Sequence, residues 1–340
     1  MTMRIKKKLI LHIGFSKCGS TSLQHILSTN EQYFLSNKVR VLRIEDIFSP
    51  EVHELGISKN LLDVKFRPEI LGDDNHYYIL SDEGLGGSEA VGFRDAELKA
   101  QLFLKVASLV SIEIICCVKP IPSWISSMWS QKLVEGSSNT INFCLPPGIL
   151  DTYSRYIKHL MDNAKFCPSE AIISWERIHD TKIRLFTVSD FFNDHTGIRW
   201  ILNQVGKPEL FDGLVIRASH QNRALSDQIG LDLYTTNKHA TLIFGVASAA
   251  RTIDLLRALF GKIFGSSRVE RLTLPFEGFE KFISKERDFF SSRGVELLPL
   301  GYQVRAEKSI KQRIHIVLVL ILLFPFLNLI AAAKNRLVSR

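Results

Sequence analysis

The run Gly14-Phe15-Ser16-Lys17-Cys18-Gly19-Ser20-Thr21-Ser22 gathers the groups that hold a phosphate. Gly14 and Gly19 stand five residues apart, and glycines let backbone N–H groups turn inward around an anion. An apolar segment, Leu9–Ile13, precedes the run and a helix-forming segment follows it. The loop is therefore expected to end at a helix N-terminus, where free donors and a partial positive charge favour anions. Ser16, Ser20, Thr21 and Ser22 add hydroxyl donors, and Cys18 adds a backbone N–H. Lys17 lies on the loop itself, where an ammonium can reach the oxygen bridging a phosphate and a transferred group.

A second cationic point lies further on. Lys119-Pro120 closes an apolar segment, and Trp124, Ser127, Trp129 and Gln131 follow at helical spacing. A cation at a strand end and a hydroxyl on the next helix are groups that can converge on one phosphate. A carboxylate comes third: Tyr78-Ile79-Leu80-Ser81-Asp82-Glu83 reads as a strand that delivers Glu83 to its carboxyl end, where the sites of α/β sheets collect. Glu83 is the expected general base and Asp82 the fallback. His76 precedes the strand and is the weaker choice. The spacing departs from a nucleotide-hydrolase loop, in which Lys directly follows the second Gly. Here Ser20 takes that place, which disfavours a plain ATP or GTP hydrolase. No metal-ligand cluster is apparent.

The elements that must position these groups alternate. Strands are expected at Leu9–Gly14, Val39–Ile44, Tyr77–Ser81, Ile112–Val118 and Lys182–Val188. Helices are expected at Ser20–Asn30, Leu98–Leu109, Ser123–Glu135, Asp151–Asn163 and Trp200–Gln204. Alternation of this kind argues for an α/β fold with a mainly parallel central sheet. Ala240–Phe264 is an insertion that ends as an amphipathic helix, with Arg251, Asp254 and Arg257 on one side. Such a helix packs on a core, or touches a membrane or a lipid-linked acceptor.

Leu11 through Gln24 resembles the 5′-phosphosulfate loop of sulfotransferases that use 3′-phosphoadenosine 5′-phosphosulfate (PAPS), with Cys18 and Ser20 where Thr is usual. Lys119 through Gln131 is similar to that family's 3′-phosphate motif, with Lys119 in place of Arg. Asn222-Arg223-Ala224-Leu225-Ser226 resembles a late helix opening of the bacterial carbohydrate-type members, and Trp175–Phe192 looks like their late strand, including Ile183–Val188. The resemblance covers about residues 8–235, patchily. It implies a P-loop-like three-layer α/β fold and sulfuryl transfer from PAPS to a hydroxyl of a saccharide or glycolipid. Ser16, Lys17, Cys18, Gly19, Ser20, Thr21 and Ser22 would hold the 5′-phosphosulfate, Lys119 and Ser127 the 3′-phosphate, and Glu83 would take the acceptor proton, without a metal. A small-molecule P-loop kinase and a membrane-tethered nucleotide-binding protein with little turnover are the alternatives.

Composition limits the rest. The 340 residues are 46% hydrophobic and 23% charged, with 43 Lys+Arg against 35 Asp+Glu, a formal net charge of +8. This excludes a largely disordered chain and favours anionic ligands. The positive residues are dispersed and form no nucleic-acid module. The five cysteines (Cys18, Cys116, Cys117, Cys144, Cys167) form no CxxC pair, which speaks against a disulfide framework or a structural zinc. Ile316–Ala333 carries no charge over 18 residues and has basic flanks, the length of a membrane-seeking helix. The expected organisation is a catalytic domain over 1–305, with insertion 240–264, and a basic, hydrophobic tail over 306–340. Its catalytic part would be cytoplasmic, seated at the inner membrane through 316–333.

Overall fold

The computed structural model describes residues 7–55, 59–88, 92–125, 127–128, 153–192, 194–216 and 277–297. The chain divides into two compact units. The first comprises 1–124, 160–222 and 281–298; the second comprises 125–159, 223–280 and 299–340. The first unit carries the sheet. The expected insertion 240–264, the segment Asn222–Ser226 and the tail 306–340 lie outside the described residues, and among the described residues no helix is long and apolar enough to cross a membrane.

Five strands form one all-parallel sheet in the order β2-β3-β1-β4-β5: β1 (Lys8–His12), β2 (Val39–Leu42), β3 (Tyr77–Ser81), β4 (Ser111–Val118) and β5 (Arg184–Thr187). Parallel pairing requires a crossover between successive strands. These are supplied by α1 (Ser20–Thr29) after β1, α2 (Ala96–Ala107) after β3, and α3 (Pro168–His179) before β5. Leu9 to His12 and Ile114 to Val118 are buried without interruption. Successive side chains point to opposite faces, so both faces of the central strands are covered, and the sequence reads as a continuous apolar run for that reason. β1 lies between β3 and β4. Its connection leaves toward β2, whereas the connection from β4 leaves toward β5, so the crevice where the winding reverses opens at the carboxyl ends of β1 and β4.

Strand β3 coincides with its expected span. The other strand boundaries, and those of the helices expected at 20–30, 98–109 and 200–204, shift by one to a few residues; the expected helix Ser123–Glu135 lies largely outside the described residues. The stretch Trp175–Phe192 departs from the expected strand. Its first residues finish α3, only Arg184–Thr187 pairs in the sheet, and Val188–Phe192 is helical. Helix α3 starts at Pro168, and Cys167, Asp180 and Lys165 mark bends that apolar periodicity does not reveal. The donors at the start of α3 are met from afar, because Glu286 on α5 (Glu277–Ser291) accepts from Ser169 N at 3.0 Å and Ser169 Oγ at 2.6 Å. α4 (Thr196–Gln204) follows β5 and buries Ile198, Ile201 and Leu202. Within the expected helix Asp151–Asn163, Tyr153–His159 is α-helical and the chain widens to a π-turn at Leu160–Ala164, while Asp151 and Thr152 lie outside the described residues.

Candidate functional site

The loop after β1 takes a conformation suited to enclosing an anion. Lys17 (φ 64) and Gly19 (φ 90) are both left-handed, and Cys18 between them is not, an alternation that turns successive N–H groups to one side. Gly19 suits this geometry because it has no side chain to clash. Lys17 holds it at a cost of about 1 kcal/mol, a strain that surrounding structure must fix. Gly14 is required for a different reason. A Cβ there would come within 2.7 Å of the His12 ring beneath it. Helix α1 starts at Ser20 with no side-chain cap and no acidic residue in its first turn, and the partial positive charge of a helix start favours anions.

The loop rests on aromatic packing. Phe15 is buried against Trp124 (ring centroids 4.7 Å) and Phe93 (5.0 Å), and Trp124 Nε1 donates to the Ser16 carbonyl at 2.7 Å. Ser16 is thereby positioned through its backbone. Cys18 departs from its expected part as a ligand. Its side chain is buried, and burial, against the effect of nearby Lys119, pushes the thiol up to about 12. Its N–H donates to the Phe15 carbonyl at 3.1 Å and is not available to a phosphate. Thr21 is exposed at the helix start, whereas Ser22 is half-buried and its N–H already donates to Gly19 O.

Glu83 stands in a 3₁₀ turn, Glu83–Gly86, directly after β3. Ser20 Oγ donates to Glu83 Oε2 at 2.8 Å, so the loop after β1 and the candidate base are joined by a hydrogen bond. Ser20 has one hydroxyl proton, and this contact spends it on the carboxylate. The turn is held from four sides. Asp82 Oδ1 accepts from Gly84 N (2.7 Å), Lys99 Nζ donates to Gly84 O (2.7 Å), and Trp175 Nε1 donates to Leu85 O (3.1 Å). Gly86 lies so close to the loop that a Cβ would meet Gly14 O at 2.5 Å. Lys99 is buried and paired with the equally buried Asp95 at 2.6 Å. Asp82, the fallback base, is committed to capping, and burial raises its carboxyl above the ordinary range. His76 precedes β3, roughly 17 Å from its carboxyl end at ~3.3 Å per residue.

Lys119 follows β4 next to the loop. Burial lowers its ammonium below the usual lysine range; Cys18 counteracts this and the charge of Lys17 adds to it. Two lysines close enough to oppose each other's charge mark a place for an anion. The structure thus brings Lys17, Ser20, Glu83 and Lys119 together at the carboxyl ends of β1, β3 and β4. Ser127 lies on helical residues that belong to the second unit. Sequence reasoning missed the Asp95–Lys99 pair and Trp175. The only trace of the pair is a lysine on the apolar face of an amphipathic segment, four residues after an aspartate. Among the described residues no group of three His, Cys, Asp or Glu side chains is arranged to hold a metal ion.

Comparison of the chain with protein-family models, with curated proteins and with solved structures gave no significant match.

Proposed function

We propose that the chain is a PAPS-dependent sulfotransferase of P-loop-like three-layer architecture that transfers a sulfuryl group to a hydroxyl of a saccharide or glycolipid. The observation that carries this reading is the Ser20–Glu83 hydrogen bond, which couples a carboxylate to a phosphate loop whose lysine lies on the loop itself. In the reaction the acceptor oxygen forms a bond to sulfur and the bond from sulfur to the phosphate oxygen breaks. Glu83 takes the acceptor proton. Lys17 neutralises the charge that develops on the departing phosphate of 3′,5′-ADP. The loop N–H groups and Thr21 hold the 5′-phosphate, and Lys119 holds the 3′-phosphate. The uncharged segment Ile316–Ala333, flanked by basic residues, supports a seat at the cytoplasmic face of the inner membrane.

The test is transfer of labelled sulfate from PAPS to a surface-glycan extract, combined with calorimetry of 3′,5′-ADP and ATP. Glu83→Gln is expected to lower turnover at least ~100-fold with 3′,5′-ADP affinity unchanged, and Lys17→Ala to abolish transfer. Full transfer by Lys17→Ala sinks the proposal. Tighter binding of ATP than of 3′,5′-ADP points to a kinase, and 3′,5′-ADP binding without transfer points to a binding protein.

A further inference from the structure

Beside the phosphate loop the first unit contains a second feature, a cavity of about 590 Å³. One wall is the exposed face of α1, with Thr21, Gln24, His25 and Ser28. Its lining also includes Arg43, Glu45 and Asp46 after β2, and Ser81 and Asp82 at the carboxyl end of β3. Two of these residues tie it to the candidate site. Thr21 belongs to the phosphate loop, and Asp82 is the neighbour of Glu83. The volume lies within the range of small-molecule pockets and exceeds what a single water-filled crevice needs.

The lining identifies the ligand class. Four carboxylates (Glu31, Glu45, Asp46, Asp82) and two arginines, Arg40 and Arg43, line it; Glu45 also lies 2.9 Å from His53, outside the cavity, and Asp46 Oδ2 accepts from Arg43 N at 2.8 Å. Arg40 is further engaged by Asp73 at 2.8 Å, a residue outside the cavity. The balance is negative, so an acidic ligand is repelled. Gln24 Nε2 donates to Ser81 O at 3.2 Å, Ser28 Oγ donates to His25 O at 3.1 Å and Ser81 Oγ is bonded to His12, so these groups line the cavity chiefly with acceptor oxygens, which suits a ligand that brings hydroxyl donors. We infer that this cavity is the acceptor site and that it selects a neutral saccharide of two or three residues over one bearing uronates or sulfates. The inference rests on the sulfotransferase reading for its role, but the cavity's preference can be measured without turnover.

The experiment is equilibrium binding of the full chain to a panel of neutral oligosaccharides (cello-, malto- and N-acetylglucosamine di- to tetrasaccharides, and galactose-containing ones) and to uronate-containing tetrasaccharides. Binding of 3′,5′-ADP is measured alongside. His25→Trp and Ser28→Trp place a bulky ring on the exposed wall without touching loop or base. At least one neutral member is expected to bind, with a loss of at least tenfold in each Trp variant and unchanged 3′,5′-ADP affinity. Uronate-containing members are expected to bind at least tenfold more weakly. The inference is overturned by 3′,5′-ADP binding with no neutral member bound, by preference for the uronates, or by saccharide binding indifferent to both Trp variants. Saccharide binding with the expected losses but no 3′,5′-ADP binding supports the cavity assignment and overturns the sulfotransferase reading instead.

Discussion

On the proposed reading Lys119 stands where an arginine would give a forked, permanently charged contact to phosphate. A lysine in a buried position has a different property, since its charge can be lost. Burial lowers its pKa, and Lys17 lowers it further. As pH rises through that lowered value the ammonium becomes neutral and its attraction for an anion goes with it. The affinity for 3′,5′-ADP is therefore expected to fall at an alkaline pH below the usual lysine range. Loss of one charge-assisted hydrogen bond, about 1.5–3 kcal/mol, corresponds to roughly 10–100-fold. Calorimetry from pH 7 to 10 checks this, and Lys119→Arg should hold its affinity across the range. A wild-type affinity that stays level to pH 10 would refute the assignment of Lys119 to the anion. Cys18 shows the opposite lesson at this scale. Its position in the loop motif suggests a ligand, yet its sulfur and its N–H both face the protein. Residue type and spacing report that a loop encloses something, not which members of it turn outward.

The turn Glu83–Gly86 is the element on which the site depends, and what holds it comes from three separate helical or loop segments. Lys99 on α2 and Trp175 on α3 each donate to a carbonyl of the turn, and Gly86 is wedged on the loop after β1. Neither Lys99 nor Trp175 touches Glu83; they act by fixing the backbone that carries it. Lys99→Met removes one clamp and leaves Asp95 buried without its cation, a loss of about 3–5 kcal/mol in stability. Turnover is expected to fall roughly 10–100-fold, as for a small displacement of a catalytic group, with 3′,5′-ADP affinity changed less than about twofold. The milder Trp175→Phe removes only the donor to Leu85 O, and it keeps the question open to measurement if the first variant does not fold. Equal loss of turnover and nucleotide affinity, or loss of neither in a folded protein, would refute a positioning role. Element spans such as Tyr77–Ser81 were legible because an apolar run buried on both faces leaves a plain mark. The clamp was not, because it joins residues 15 and 90 positions apart in the chain and only the crossover packing brings them together.

At the scale of the whole first unit, the parallel sheet puts one histidine at its centre. His12 ends β1, is fully buried, and shares a hydrogen bond with Ser81 Oγ at 2.8 Å, while its Nε2 has no partner among the described residues. The alternation of strands and helices in the sequence was enough to anticipate an α/β fold with a parallel sheet. The order of strands was not, because it depends on which crossovers pass over which strands, and that order is what buries His12 between β3 and β4. Burial lowers its pKa from 6.5 to about 3, so the folded chain holds the ring neutral where the unfolded chain would protonate it. A depressed folded-state value contributes stability above the unfolded value, and that stability is lost as pH falls from about 6.5 toward 3. Asp73, held down to about 2 because hydrogen bonds from Tyr78, Arg40 and Asn75 outweigh its burial, works in the same direction only below the ordinary carboxylate range. Asp82 and Glu286, raised by burial, work the other way, gaining stability as the pH drops toward that range. A single substitution separates the histidine from all three. In urea unfolding at pH 7 and pH 4.5, the wild-type chain should lose about 2 kcal/mol more between the two pH values than His12→Gln, which keeps an amide for Ser81 but cannot gain a proton. The same loss in both chains would mean that His12 does not set the acid limit of the fold.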